Sequence, residues 1–216
     1  MVQIEVVRPN EIGPEGWREI QVLEREALKE LFPNVPHDTI GEFVKLGDPQ
    51  AYIRSHTHPN SKVGAGFRSG QVFDTPKVAV AYDDDKPVGF VYGAGNVSGP
   101  NAAVRFAKRL TTPNHYFNIR TAVVSPEYRR QEVATAMAKY WLGPVNPDRP
   151  VSAVIWPGLM PWWQTALERH GFEAVGPPFD VKMFSGEAPS DLDVVPHQLM
   201  KAPSVRHVLD LIKRHP

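Results

Sequence analysis

Arg129 and Arg130 stand side by side in NIRTAVVSPEYRRQEVATAMAKYWL, between an apolar, β-branched run and a run of good helix formers. Two guanidinium groups at such a junction can grip a phosphate through charge-assisted hydrogen bonds. The backbone can contribute as well. The first N–H groups of a helix have no intrahelical acceptor and lie at the positive end of its dipole, so a strand that turns into a helix makes an anion seat at the turn. Here that seat spans Arg130 to Thr135. Holding a phosphate-bearing cofactor is the chemistry this pattern suits. The competing reading is a solvated turn whose arginines pair with nearby carboxylates.

The elements that must position the turn are legible on both sides of it. A strand is expected at 115–124 and a helix at 129–142, the latter with Val133, Ala136, Met137, Tyr140 and Trp141 as its apolar stripe. Upstream, residues 77–83 and 87–97 read as a hairpin about the turn Asp84-Asp85-Lys86, with Val78, Val80 and Tyr82 on one face. Downstream, residues 151–156 are apolar at nearly every position, as in a central strand. Pro161 opens a helix to about Arg169, Gly171 ends it, and strands near 172–175 and 179–184 are expected to close an antiparallel pair.

The N-terminal part reads as a strand at 2–8, a helix at 14–32 and short helices near 39–46 and 50–56, before a Gly-, Ser- and Pro-rich loop to Pro76. A helix is expected at about 100–110 and another at 203–214, whose apolar face needs cover from its own domain or from a second copy in a homodimer. The fold class that follows is α/β (α+β mixed sheet), a sheet flanked by helices. The expected division is one domain over 1–184, with N-terminal helices and loop at 9–76 and a core at 77–184, and a C-terminal extension over 185–216.

Composition narrows the chemistry. The chain has 216 residues, and its 24 basic and 24 acidic side chains balance. No global field therefore draws it toward nucleic acid or an anionic membrane, though a local arginine pair can still serve one anionic ligand. The absence of cysteine removes disulfides, thiol nucleophiles and thiolate metal sites. No signal-peptide core or membrane-length apolar run is visible, so the expected location is the cytoplasm.

The run Val124-Ser125-Pro126-Glu127-Tyr128-Arg129-Arg130-Gln131-Glu132-Val133-Ala134 resembles the cofactor motif of the GNAT acyltransferase superfamily, V-x-P-x-x-R followed by R/Q-x-x-G-x-G/A. The likeness extends over residues 77–184 and includes LERHGF at 167–172, similar to the family's Y-x-x-x-G-F. It implies a central twisted, mostly antiparallel sheet flanked by helices. It further implies acyl-CoA-dependent N-acyl transfer, from acetyl-CoA as cosubstrate to a primary amine of a small molecule or protein. No metal is expected. The resemblance places pantetheine on Val123 and Val124, and the pyrophosphate on Arg129, Arg130, Gln131, Val133, Ala134 and Thr135. Three positions depart from the family pattern: its motif glycine is Glu132, its tyrosine is Leu167, and a glutamate used by some members as base is Asn118. Because Glu132 puts bulk and charge where glycine admits phosphate, the alternative is a catalytically degenerate GNAT-fold ligand-sensing or interaction module.

Other candidates carry less. His56 and His58 could share a face toward a metal, but no third ligand is visible. His115 could serve as a base, although a lone histidine is more often structural. Trp156, Trp162 and Trp163 flank a loop that could wall an acceptor site or simply pack. Gly64-Ala65-Gly66 lacks the strand and helix a phosphate fingerprint requires. Asp83-Asp84-Asp85 reads as turn chemistry.

Overall fold

The computed structural model describes residues 2–8, 11–48, 51, 77–95, 117–182 and 194–214. The expected helix at 100–110, the 58–76 loop, His56, His58 and His115 lie outside them, as does the expected helix near 50–56 except for Ala51.

Strands Gln3–Val7 (β1), Lys77–Asp83 (β2), Lys86–Gly95 (β3) and Phe117–Val124 (β4) run antiparallel in sequence order. The β2–β3 hairpin turns on Asp84 and Asp85, with Asp84 at φ 51°, a left-handed position that aspartate tolerates. Val151–Ile155 (β5) then joins β4 in parallel, the sense a crossover helix demands. That helix is Val133–Leu142 (α3).

Alternation of side chains sets the layers. Val78, Val80, Phe90 and Tyr92 point to one face and pack with Trp17, Ile20 and Leu28 of helix Pro14–Leu31 (α1) and Ile40 of helix His37–Phe43 (α2). Ala79, Ala81 and Val91 point to the other and pack with Met137 and Trp141 of α3. Gly89 lets α3 lie close to the sheet: a Cβ there would stand 3.0 Å from Met137 Cε and 3.1 Å from the Val123 carbonyl. Gln21, fully buried on α1, donates through Nε2 to the carbonyls of Val44 and Lys45 and so ties the end of α2 to α1.

The largest departure from the sequence reading lies near the C-terminus. Val194–Ala202 (β8) is a strand inside the sheet, between β5 and Glu173–Ala174 (β6), and its first half pairs with Phe179–Lys182 (β7). The two expected closing strands therefore pair with β8 and not with each other. Pro196, His197 and Gln198 break the apolar pattern and hid the strand. The structure meets those interruptions locally: Pro196 lies opposite Asp180 of β7, and buried Gln198 donates to the carbonyls of Val175 and Gly176. Helix Val205–Arg214 (α5) sets Val205, Val208 and Ile212 into the same core as α3, so the segment read as an extension completes sheet and core.

Helix Pro161–Arg169 (α4) ends in a Schellman pair, with Phe172 N–H on the Leu167 carbonyl and Gly171 N–H on that of Glu168, both at 3.0 Å. Gly171 has φ 81°, and a Cβ there would stand 2.7 Å from Leu211 Cδ1 and closer still to the His207 ring of α5. Gly171→Ala is therefore expected to cost about 2 kcal/mol or more in urea unfolding, through backbone strain and overpacking together. Adding His207→Ala should recover part of the steric loss and leave about 1 kcal/mol of left-handed strain.

Candidate cofactor site

The site begins with one extra residue. Gly93 pairs with Ile119 and Tyr92 with Thr121, so Arg120 has no counterpart on β3 and forms a bulge. The bulge resets the alternation. Ile119, Ala122 and Val124 all turn toward the α3 face, while Val123 turns toward α1. The same bulge marks where β4 leaves β5. Pairing runs from Phe117 with Val151 to Ile119 with Ala153 and stops there, although β4 continues to Val124 and β5 to Ile155. A gap with an unpaired β4 edge results.

Backbone direction along that edge follows from one bond. Ser125 N–H donates to the Val88 carbonyl at 2.8 Å, so residues 123 and 121 also face β3 in the antiparallel ladder. The polar groups that face the gap are those of Ala122 and Val124. Sequence reasoning named Val123 and Val124; Val123 instead spends its backbone on β3 and its side chain in the α1-side core. Finding Ala122 requires knowing of the bulge, for which the sequence offers no marker.

The turn after β4 is a single 3-10 turn, Pro126–Tyr128, followed by two left-handed residues, Arg130 at φ 64° and Glu132 at φ 59°. Glu132 is the N-cap of α3, so the helix starts at Val133, four residues later than the expected 129. It holds the backbone shape that glycine would adopt freely, at a cost on the order of 1 kcal/mol. Its carboxylate makes no capping bond, and α3 has no acidic side chain in its first turn. Val133 is buried, and Ala134 and Thr135 are half-buried, in this uncapped first turn.

The side chains around the turn are pinned from three directions. Tyr128 Oη–H donates to Asp83 Oδ2 at 2.7 Å, tying the turn to the β2–β3 hairpin. Gln131 Nε2 donates to the Glu127 carbonyl at 2.6 Å. Arg129 donates from Nε to the Val124 carbonyl at 3.1 Å, and from both terminal nitrogens to Glu30 of α1, each at 2.6 Å. The guanidinium holds the Glu30 carboxyl below its ordinary value. Arg130 is exposed and makes no ion pair among the described residues. Sequence spacing could not reveal Glu30, which lies 99 residues from Arg129.

Beyond the gap, the Trp156 indole N–H donates to His197 Nε2 at 3.0 Å, while His197 Nδ1 lies 2.7 Å from the Val195 carbonyl and carries the proton. Burial pushes the pKa of His197 down, and both its nitrogens are engaged, so it is a neutral strut. Trp156 also meets Phe32 edge-on at 5.6 Å. Trp163 packs on the α3-side core, and Trp162 is exposed. Leu167, at the position of the family's tyrosine, is buried in that core and has no proton to give. Among the described residues no group of three or more His, Asp or Glu side chains is placed to hold a metal. No described helix is long and apolar enough to cross a membrane.

Comparison with solved structures returns chains of the same overall fold. A putative acetyltransferase of the GNAT family from Desulfovibrio desulfuricans matches with TM-score 0.53 at 10% identity, over 95% of this chain and 99% of that one. The chain has the GNAT fold. Escherichia coli ElaA matches with TM-score 0.51 at 14% identity, over 94% and 99% of the two chains. A chain of the NatC complex bound to Gag peptide and CoA matches with TM-score 0.50 at 10% identity, over 94% and 98%. No protein-family model and no curated protein matches this sequence.

The Tyr128–Asp83 bond gives a pH signature. Tyr128 holds the Asp83 carboxyl below its ordinary value, and Asp83 holds the phenol above its own. A depressed acid stabilises the fold above its unfolded pKa and loses that contribution as pH falls through the folded value. A raised phenol stabilises below its unfolded pKa and loses the contribution as pH rises through the folded value. Tyr128→Phe should therefore be less stable than the parent between about pH 4 and pH 10, and the two urea-unfolding curves should converge on the acid side.

Proposed function

We propose that this protein is an acyl-CoA-dependent N-acyltransferase, which moves an acetyl group from acetyl-CoA to a primary amine of a small molecule or protein. The observation that carries this reading is the gap between β4 and β5, whose free edge at Ala122 and Val124 leads to the uncapped first turn of α3. An extended amide chain can pair with such an edge as an added strand does. A diphosphate suits the first N–H groups of α3, with Arg130 free to add charge. The residues present thus fit the cosubstrate. Glu132 adds a negative charge at the rim but does not cap the helix.

In this reading the chain works mainly by position. The Val124 N–H faces the gap and can polarise a thioester carbonyl placed beside it, and the edge fixes the line along which an amine attacks. Water would take the proton that the attacking amine loses and return one to the departing thiolate, since Leu167 offers none. His197 is not the base, because both its ring nitrogens are bound. The Gag peptide and CoA named with the NatC neighbour support an amine acceptor.

A second reading, a GNAT-fold module that senses a ligand or partner without acyl transfer, draws on Glu132 and on the engagement of Arg129 by Glu30. Calorimetric titration with acetyl-CoA separates the two. We expect saturable one-to-one binding by the parent and about tenfold tighter binding by Glu132→Gly, the equivalent of removing one nearby like charge. Thiol release that depends on an added amine should accompany it. Binding confined to Glu132→Gly would establish the second reading instead. Glu132→Gly should also unfold at higher urea, by about 0.5–1 kcal/mol, as left-handed strain is released.

A further inference from the structure

Arg129 is one of the two arginines at the cofactor turn, and the obvious role for it is to hold phosphate. Its geometry points elsewhere. Arginine presents five N–H donors in a planar fork. Here the two terminal nitrogens face both oxygens of Glu30 at 2.6 Å, and Nε faces the Val124 carbonyl at 3.1 Å. The side chain therefore joins three things: the last residue of β4, the start of the left-handed turn, and the final turn of α1. The pair is partly shielded, with the Arg129 side chain 31% exposed. Turning this fork to a phosphate would leave the Glu30 carboxylate unpaired beside a new anion. Arg130 has neither constraint.

We propose that Arg129 is a positioning residue, which with Glu30 locks the 130–132 turn and α1 so that the open start of α3 faces the gap, and that Arg130 supplies the charge felt by the anion. This rests on the reading of the turn as an acyl-CoA seat. It assigns Glu30, on α1, a part in the cofactor site. The latch also couples the two sides of the gap: movement of α1 against the sheet must break the bidentate pair or carry the turn with it.

The two roles predict opposite signs for one substitution. If Arg129 were a phosphate ligand held back by Glu30, Glu30→Gln would free it and tighten CoA. In a latch, Glu30→Gln loosens the turn and weakens CoA, by roughly fivefold for a pair of this exposure. Arg129→Lys is the second discriminator. Lysine keeps the charge but cannot span Val124 and both carboxylate oxygens, so a latch predicts that it fails as badly as Arg129→Gln, whereas a ligand role predicts near-parent affinity. The double variant Glu30→Gln/Arg129→Gln should bind no worse than Arg129→Gln alone. Arg130→Gln, by contrast, should flatten the salt dependence of CoA binding, which the Arg129 variants leave unchanged.

The experiment is calorimetry with CoA on these variants of the full chain, well below their unfolding temperatures, beside amide hydrogen exchange on the free proteins. We expect faster exchange at 125–135 and in the last turn of α1 in both Glu30→Gln and Arg129→Lys. Tighter CoA binding by Glu30→Gln overturns the proposal. So does parent-like affinity in all the Arg129 variants with only a lowered melting temperature, which would make the pair a stability element alone. If the parent itself does not bind CoA, the acyltransferase reading fails. The exchange data then still decide the latch, because unchanged exchange in both variants refutes it.

Discussion

The site depends on the unmatched residue at Arg120. Parallel strands linked by a helix ordinarily stay paired along their common length, and β4 and β5 begin that way at Phe117 and Val151. A bulge sharpens local twist and bends the strand that carries it. Placed at the last paired position, it turns the rest of β4 away from β5 while β3 keeps its hold through Val124. The opened edge then needs other support, because unsatisfied backbone groups in a buried setting are costly. Arg129 meets part of that need at the Val124 carbonyl. The same bulge changes which side chains face which core. It leaves Ile119, Ala122 and Val124 against α3, with Val123 against α1. Gap, core registry and the placement of α3 are thus consequences of a single inserted residue.

Most of the architecture was legible because its signals are local and periodic. The β2–β3 hairpin, the continuous apolar run of β5, and the stripes of α1, α3 and α5 each announce their own geometry within a few residues. What stayed hidden is non-local. The strand β8 carries Pro196, His197 and Gln198, and these read as loop until β7 and the 175–176 carbonyls are brought against them. The start of α3 was placed four residues early for a related reason. Arginine and glutamate are good helix formers, and nothing in their intrinsic preference foretells that Arg130 and Glu132 adopt positive φ. At the site, Val133, Ala134 and Thr135 were assigned through the family resemblance and form the first turn of α3, whereas Ala122 and Glu30 needed the tertiary structure. Two of the named residues have surroundings that the sequence did not show. Val123 belongs to the ladder and the α1-side core, and Arg129 belongs to an ion pair.

The left-handed turn shows how a glutamate can hold a backbone shape that glycine would adopt freely. Strained backbone persists only where its surroundings over-determine it. Here three side chains within four residues make such bonds: Tyr128 on Asp83, Arg129 on Glu30 and Val124, and Gln131 on Glu127. Asp83 and Glu30 lie on other elements, so relaxing Glu132 into a right-handed conformation would have to break several bonds at once. With glycine, the turn would be satisfied by backbone freedom alone. With glutamate it needs the scaffold, and the scaffold consumes one of the two arginines that a bare reading of the sequence would assign to the ligand. The uncapped N–H groups of α3 are then the part of the site with no other task. An anion at that helix start would satisfy donors that no side chain among the described residues meets, and its field would act on the turn that Arg129 and Glu30 hold. The strain, the latch and the open helix end form one arrangement, in which binding and local stability share the same few residues.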